Sequence, residues 1–141
     1  MKSRTLIVAL SVVVLLTSVQ VSPAIARPRT YVTHSCTDVK VRPRRIVFTC
    51  ADGNLYMTSL RWRRWNHSRQ AVGRGVFNFN DCDPSCADGT FHKRKGTRVA
   101  LSRRRWCPGI DKFVFKRARL RFKRPVNGRK RMRRQLFCPS P

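Results

Sequence analysis

From about residue 44 onward, apolar and polar positions alternate with a period of two. Ile46-Val47-Phe48 is a short β-favouring run that stops at Cys50. Asp52-Gly53 behind it is a turn signal, because glycine accepts the positive φ of a tight hairpin. Leu55 to Trp62 then alternates, with Tyr56, Thr58, Leu60 and Trp62 on one face and Leu55, Met57 and Ser59 on the other. This spacing predicts a hairpin of 44–50 with 54–62. Ala71 to Phe79 is the next strand, with Ala71, Gly73, Gly75, Phe77 and Phe79 sharing a face and Val72, Arg74, Val76 and Asn78 the other. Two glycines inside a strand mark a bulge or the close approach of another backbone, and Trp62 or Trp65 is placed to lie across them. Thr97 to Ser102 is a further strand, with Thr97, Val99 and Leu101 on one side. Phe113 to Phe122 is the longest, with Val114, Ala118, Leu120 and Phe122 inward and Arg117, Arg119 and Arg121 outward. Asn127-Gly128 is a strong hairpin signal. It returns the chain through Arg129–Phe137, with Met132, Leu136 and Cys138 on one face. No period of 3.6 appears after the first 26 residues. About seven short strands separated by turn signals predict an all-β fold, a small antiparallel sandwich or open barrel.

The beginning of the chain follows a different rule. Lys2 and Arg4 precede an apolar run, Leu6 to Leu16, and Ala24-Ile25-Ala26 presents small residues where a signal peptidase cuts. Residues 1–26 are therefore expected to be a signal peptide. Its apolar run is short for a membrane span, which needs about 20 residues. Cleavage after Ala26 removes 26 of 141 residues and leaves 115, enough for one small domain. Residues 27–43 are expected to form an extended basic arm, with a short strand at Tyr31–His34 and Cys36 tying it to the body. Residues 44–141 form the single all-β domain and end in a basic hairpin. The strands are joined by a loop at Asn80–Gly89 and a turn at Cys107-Pro108-Gly109, while Arg103-Arg104-Arg105 marks an exposed strand end. All six cysteines, Cys36, Cys50, Cys82, Cys86, Cys107 and Cys138, follow the leader. An even count in an exported chain predicts up to three disulfides, and six cysteines allow 15 pairings among which spacing does not choose.

Charge changes the picture most. The chain carries 32 Lys and Arg against 6 Asp, with no Glu, for a net charge of +26. Loss of Lys2 and Arg4 with the leader lowers this to +24. Such a surface binds polyanions by releasing their counterions. The expected partners are nucleic acid, anionic cell-wall polymers and anionic membrane surfaces.

Cys50-Ala51-Asp52-Gly53 recurs as Cys86-Ala87-Asp88-Gly89, and the two units enclose much of the predicted sheet. Cys50-Ala51-Asp52-Gly53-Asn54-Leu55-Tyr56, Trp62 and Trp65, Ala71, Gly73 and Gly75, Asn80-Asp81-Cys82, Pro84, Cys86, Gly89, Phe91-His92 and Val99-Ala100-Leu101-Ser102 form one longer pattern. Over residues 44–122 it resembles a family of small exported actinobacterial proteins with no assigned activity. The resemblance implies a secreted β-rich domain. The chain departs from that family in its arginine loading and in Cys36, Cys107 and Cys138.

Specific chemistry is sparse. Cys82 and Cys86 with Cys50 and a histidine have the donor types of a zinc site but lack its second close pair. In an oxidising compartment these sulfurs are expected in disulfides. Asp81, Asp83 and Asp88 contain the oxygens of a calcium site, but not the spacing or terminal Glu of an EF-hand loop. Asp beside Gly or Pro is ordinarily a turn former, and these carboxylates are also expected to pair with nearby arginines. No metal or cofactor is therefore expected. A nuclease needs an acid and a base near its phosphate, yet Glu is absent and His34, His67 and His92 lie in three separate segments. Ser35, Ser68 and Ser85 sit in no nucleophile elbow.

Two basic regions remain as binding candidates. Arg61, Arg63 and Arg64 interleave with Trp65 beside Trp62. Arginine grips phosphate in a bidentate manner, and an indole ring stacks on bases or sits at a lipid interface. Trp62, which shares a face with Leu60 and Tyr56, is expected in the core. Arg117, Arg119 and Arg121 continue into Arg129, Lys130, Arg131, Arg133 and Arg134, where a hairpin presents a flat cationic sheet. The same charges would also protect a sheet edge from aggregation. The expectation is a secreted, non-enzymatic, cationic protein that binds anionic polymers. A membrane-active antimicrobial-like protein and a secreted nuclease are the alternatives.

Overall fold

Eight strands in a single sheet carry the alternation, in a computed structural model that describes residues 28–139. The expected leader and its cleavage point lie outside the described residues. The strands are β1 (Thr30–Thr33), β2 (Val39–Lys40), β3 (Ile46–Val47), β4 (Leu55–Trp65), β5 (Ala71–Asn80), β6 (Phe91–Cys107), β7 (Lys112–Val126) and β8 (Arg129–Gln135). A short 3-10 turn, Pro108–Ile110, links β6 to β7. Across the sheet the order is β2-β1-β7-β6-β5-β4-β3, and β8 also pairs with β7. All pairings are antiparallel except β1 with β7, where Thr30 and Tyr31 run parallel to Phe113 and Val114. One edge of β7 is thus shared, with β1 at its start and β8 from Arg117 onward. The sheet curls until β1 approaches β3. The open barrel, not the sandwich, is the form it takes.

Curling closes the inner face around a core. Phe77 and Phe115 are fully buried at its centre, with Val32, Ile46, Phe48, Met57, Leu60, Trp65, Leu101, Leu120 and Leu136 around them. Each such side chain contributes about 1.5–3 kcal/mol on burial. Within residues 27–43, expected to be an extended arm with a short strand at Tyr31–His34, that strand is present as β1, β2 follows it, and Val32 is fully buried. The strand expected at Thr97–Ser102 extends in both directions as β6. It runs 17 residues, because the cationic stretches Phe91–Gly96 and Arg103–Cys107 pair with β5 and β7.

The simple parity expected for β4 fails. Met57 and Leu60 are both buried although they sit on opposite faces of a regular strand. Ser59 adopts φ 52°, and the register with β5 shifts between Thr58 and Arg61 and again between Trp62 and Arg64. A bulge adds one residue and turns the following side chains over, so Leu60 and later Trp65 reach the core. The glycines of β5 make room for this. A Cβ on Gly75 would lie 2.6 Å from the Thr58 carbonyl oxygen, and one on Gly73 would lie 2.8 Å from the Trp62 ring. Trp62 therefore does lie across a glycine, and its Nε1 donates to the Pro43 carbonyl at 2.8 Å. In β7, Val114 does not share the core of Ala118. It joins a small second cluster with Val39 and Cys107, while Phe115 takes the inward position. The β6–β7 pairing skips Arg103, which sits at φ 58°.

Three disulfides close the fold: Cys36–Cys50, Cys82–Cys86 and Cys107–Cys138. The two Cys-Ala-Asp-Gly units are not bridged to each other. The first anchors the β1–β2 segment, the second closes a small loop before β6, and the third ties the segment after β8 to the end of β6.

Candidate polyanion-binding face

Register decides what the outer face carries. Directly paired residues on neighbouring strands point to the same side of a sheet. Arg61 pairs with Arg74, Arg74 with Arg98, Arg98 with Arg121 and Arg121 with Arg131. Five arginines on β4, β5, β6, β7 and β8 therefore stand in one row across the sheet, all of them exposed. At about 4.8 Å between strands the row spans roughly 19 Å. A second row lies two residues away: Arg64, Val72, Ala100, Arg119 and Arg133. The rows are about 7 Å apart along the strands.

Among the described residues these cations have no acidic counterparts. Among the described residues the ion pairs are Lys40 with Asp38 at 3.6 Å and His92 with Asp81 at 2.7 Å, and neither involves an arginine. The carboxylates of the 81–88 loop were expected to relieve the arginines, but Asp81 and Asp88 are engaged within the loop and with the start of β6. Asp81 accepts hydrogen bonds from the Thr90 amide at 2.8 Å and pairs with His92, and Asp88 accepts from the Ser85 hydroxyl at 2.6 Å. The His92 bond, then the Thr90 amide, hold the Asp81 carboxyl below its usual range. Like charges directly opposite in a sheet are destabilising, and in water at roughly 5 Å each pair repels by somewhat under 1 kcal/mol before screening. Crowding registers at Arg117, beside the second row, where partial burial and then Arg103, Arg133 and Arg119 lower the guanidinium below its ordinary value. Shallow depressions of ≈ 370, ≈ 520 and ≈ 380 Å³ lie along the rows, and Arg98 lines all three.

The residues expected to bind are distributed unevenly. Arg61, Arg64, Arg119, Arg121, Arg131 and Arg133 stand in the two rows, with Arg117 one step beyond on the same face, paired with Ser102 and Gln135. Arg63 is exposed at the second β4 irregularity and lines the depression at Arg61 and Arg74. Lys130 lines the depression at Arg121 and Arg131, and Arg129 sits at the turn opposite Val126. Two of the expected residues fall elsewhere. Trp65 is only 7% exposed, its ring packed edge-on against Phe115 at 5.6 Å and its Nε1 donating to the Thr30 carbonyl, so its indole is core and has no free face for a base. Arg134 pairs with the buried Ala118, which puts it on the other face, and its Nε is buried.

Arg74 and Arg98, the middle of the first row, are absent from both basic regions read in the chain. Each is a lone arginine in an alternating strand, and only pairing reveals their alignment. Tyr56 and Phe91 also emerge on the outer face. Their rings lie 6.1 Å apart, with the Arg45 guanidinium 4.9 Å from the Tyr56 ring.

All six sulfurs are committed to disulfides, which removes the thiolates a zinc site at Cys50, Cys82 and Cys86 would need. The three histidines stay in separate local structures. His34 lies near the Arg45 carbonyl, His67 Nδ1 accepts from the Thr30 amide at 2.9 Å, and His92 holds Asp81. No helix among the described residues is long and apolar enough to cross a membrane. No family model matches the chain, and no curated protein or solved structure shows significant similarity to it.

Proposed function

We propose that this is an exported, non-enzymatic protein that binds anionic polymers, wall polymer or nucleic acid, through the arginine rows of its outer face. The observation that carries this is the Arg61–Arg74–Arg98–Arg121–Arg131 row. Five like charges held opposite one another without acid partners are unfavourable in the free protein. A linear polyanion laid across the strands turns that cost into binding by releasing its own counterions. Guanidinium forks on five strands offer bidentate contacts along one line. The leader-like start and three disulfides favour an oxidising location outside the cell or at its envelope.

A salt titration tests it. The affinity of mature protein for a nucleic acid duplex or a poly(glycerol phosphate) chain is expected to fall log-linearly with salt. The slope is about −4 to −5 on duplex DNA if the five row arginines each neutralise a phosphate. Absence of binding to both polymers at low salt would overturn the proposal. Salt-resistant leakage of anionic vesicles would favour a membrane-active protein, and degradation of RNA by the pure protein would favour a nuclease.

A further inference from the structure

Resting on that proposal, we infer that the preferred ligand is a single-stranded nucleic acid, one of whose bases stacks on Phe91, beside Tyr56, while its phosphates occupy the arginine rows. Phe91 is 48% exposed, one of two large hydrophobic residues left open to this extent among those described. It does not stand alone. Phe91 pairs with Asn80, and Tyr56 with Asn78, so both rings stand on the face that carries Arg74, either side of β5. Lys93, opposite Asn78, adds a cation on that face two residues from Phe91. Arg45 covers the Tyr56 ring at 4.9 Å, leaving Phe91 as the open stacking surface. From Arg74 to Asn78 the strand advances about 13 Å. A short single strand covers that distance without leaving the cationic surface.

The juxtaposition selects among polyanions. A base-free phosphate polymer gains nothing from an exposed aromatic ring. A duplex keeps its base faces stacked inside and offers the ring only its backbone. A single strand offers both phosphates and free base faces, and stacking on an aromatic ring is worth about 1–3 kcal/mol per base.

The experiment compares fluorescently labelled oligothymidylate of about 12 nucleotides with inorganic polyphosphate of matched charge, binding to mature wild-type protein, Phe91→Ala and Phe91→Trp. Wild type is expected to bind the oligonucleotide more tightly than polyphosphate. Phe91→Ala should weaken oligonucleotide binding about 5- to 100-fold while leaving polyphosphate affinity and the salt slope unchanged. Phe91→Trp should retain or tighten oligonucleotide binding. Because Phe91 is exposed, circular dichroism of the alanine variant should match wild type. Equal affinity for the two polymers, with no oligonucleotide-specific loss in Phe91→Ala, would overturn the stacking inference and leave electrostatic polymer binding intact. Failure of wild type to bind either polymer would overturn both.

Discussion

Gly75 shows how closely the sheet is specified at single residues. The β4 bulge at Ser59 brings the Thr58 carbonyl against β5, so a methyl group at Gly75 would meet a backbone oxygen at 2.6 Å and the Leu60 side chain at 3.1 Å. A backbone oxygen cannot rotate away, and the strands would have to separate. Gly75→Ala is therefore expected to cost about 1–3 kcal/mol in urea unfolding, although alanine is the better strand residue elsewhere. A neutral result would show that the bulge relaxes freely. The glycine was legible in the chain as the mark of a bulge or close approach. The partner was not, because Ser59 has no side-chain property that announces a left-handed backbone. A second hidden bulge explains why Trp65, a binding candidate among arginines, is in the core: the shift at Ser59 turns Leu60 inward, and the shift between Trp62 and Arg64 reverses the faces again so that Trp65 follows.

At the scale of elements, β8 is the least self-sufficient part of the site. It carries Arg131 and Arg133, has only exposed or half-buried residues, and pairs with β7 alone. Leu136, fully buried just after it, and the Cys107–Cys138 disulfide hold its end. Closing 31 positions of chain is worth about 3–4 kcal/mol in the unfolded-chain entropy account. The double variant Cys107→Ser/Cys138→Ser is expected to lose about that much stability in denaturant titration and to weaken polyanion binding as β8 frays. A loss under about 1 kcal/mol would mean that the β7–β8 ladder and Leu136 suffice. The Asn127-Gly128 hairpin and the inward Leu136 were visible in the sequence, since both are local signals. The pairing of Cys107 with Cys138 was one of 15 arrangements that spacing left open. It is decided by where the segment after β8 meets the end of β6.

Across the whole molecule, binding and stability oppose each other. The arginine rows lack acid partners among the described residues, so removing one charge should help the free protein and harm the complex. Arg98 sits between Arg74 and Arg121 and is the test position. Arg98→Gln is expected to raise the melting temperature of the ligand-free protein by about 2–5 °C in low salt and to reduce the magnitude of the salt slope by about 1. Added salt should shrink the difference in melting temperature, because screening removes the repulsion. A lower melting temperature for the variant would show that Arg98 is stabilised by its surroundings rather than strained by them.

Legible from the residues alone were the strand character of the chain, the inward residues of β5 and the later part of β7, the turns at Gly53 and Gly128, the commitment of the cysteines to disulfides and the cationic surface. Each of these depends on neighbours a few positions away or on bulk composition. Only the folded sheet settles that the arm gains a second strand, β2, that Trp65 is buried, and that Arg61, Arg74, Arg98, Arg121 and Arg131 form one row. Cross-strand alignment depends on the register of five strands at once. Each bulge shifts that register by a residue, so positions far apart in the chain become neighbours only when the whole sheet has paired.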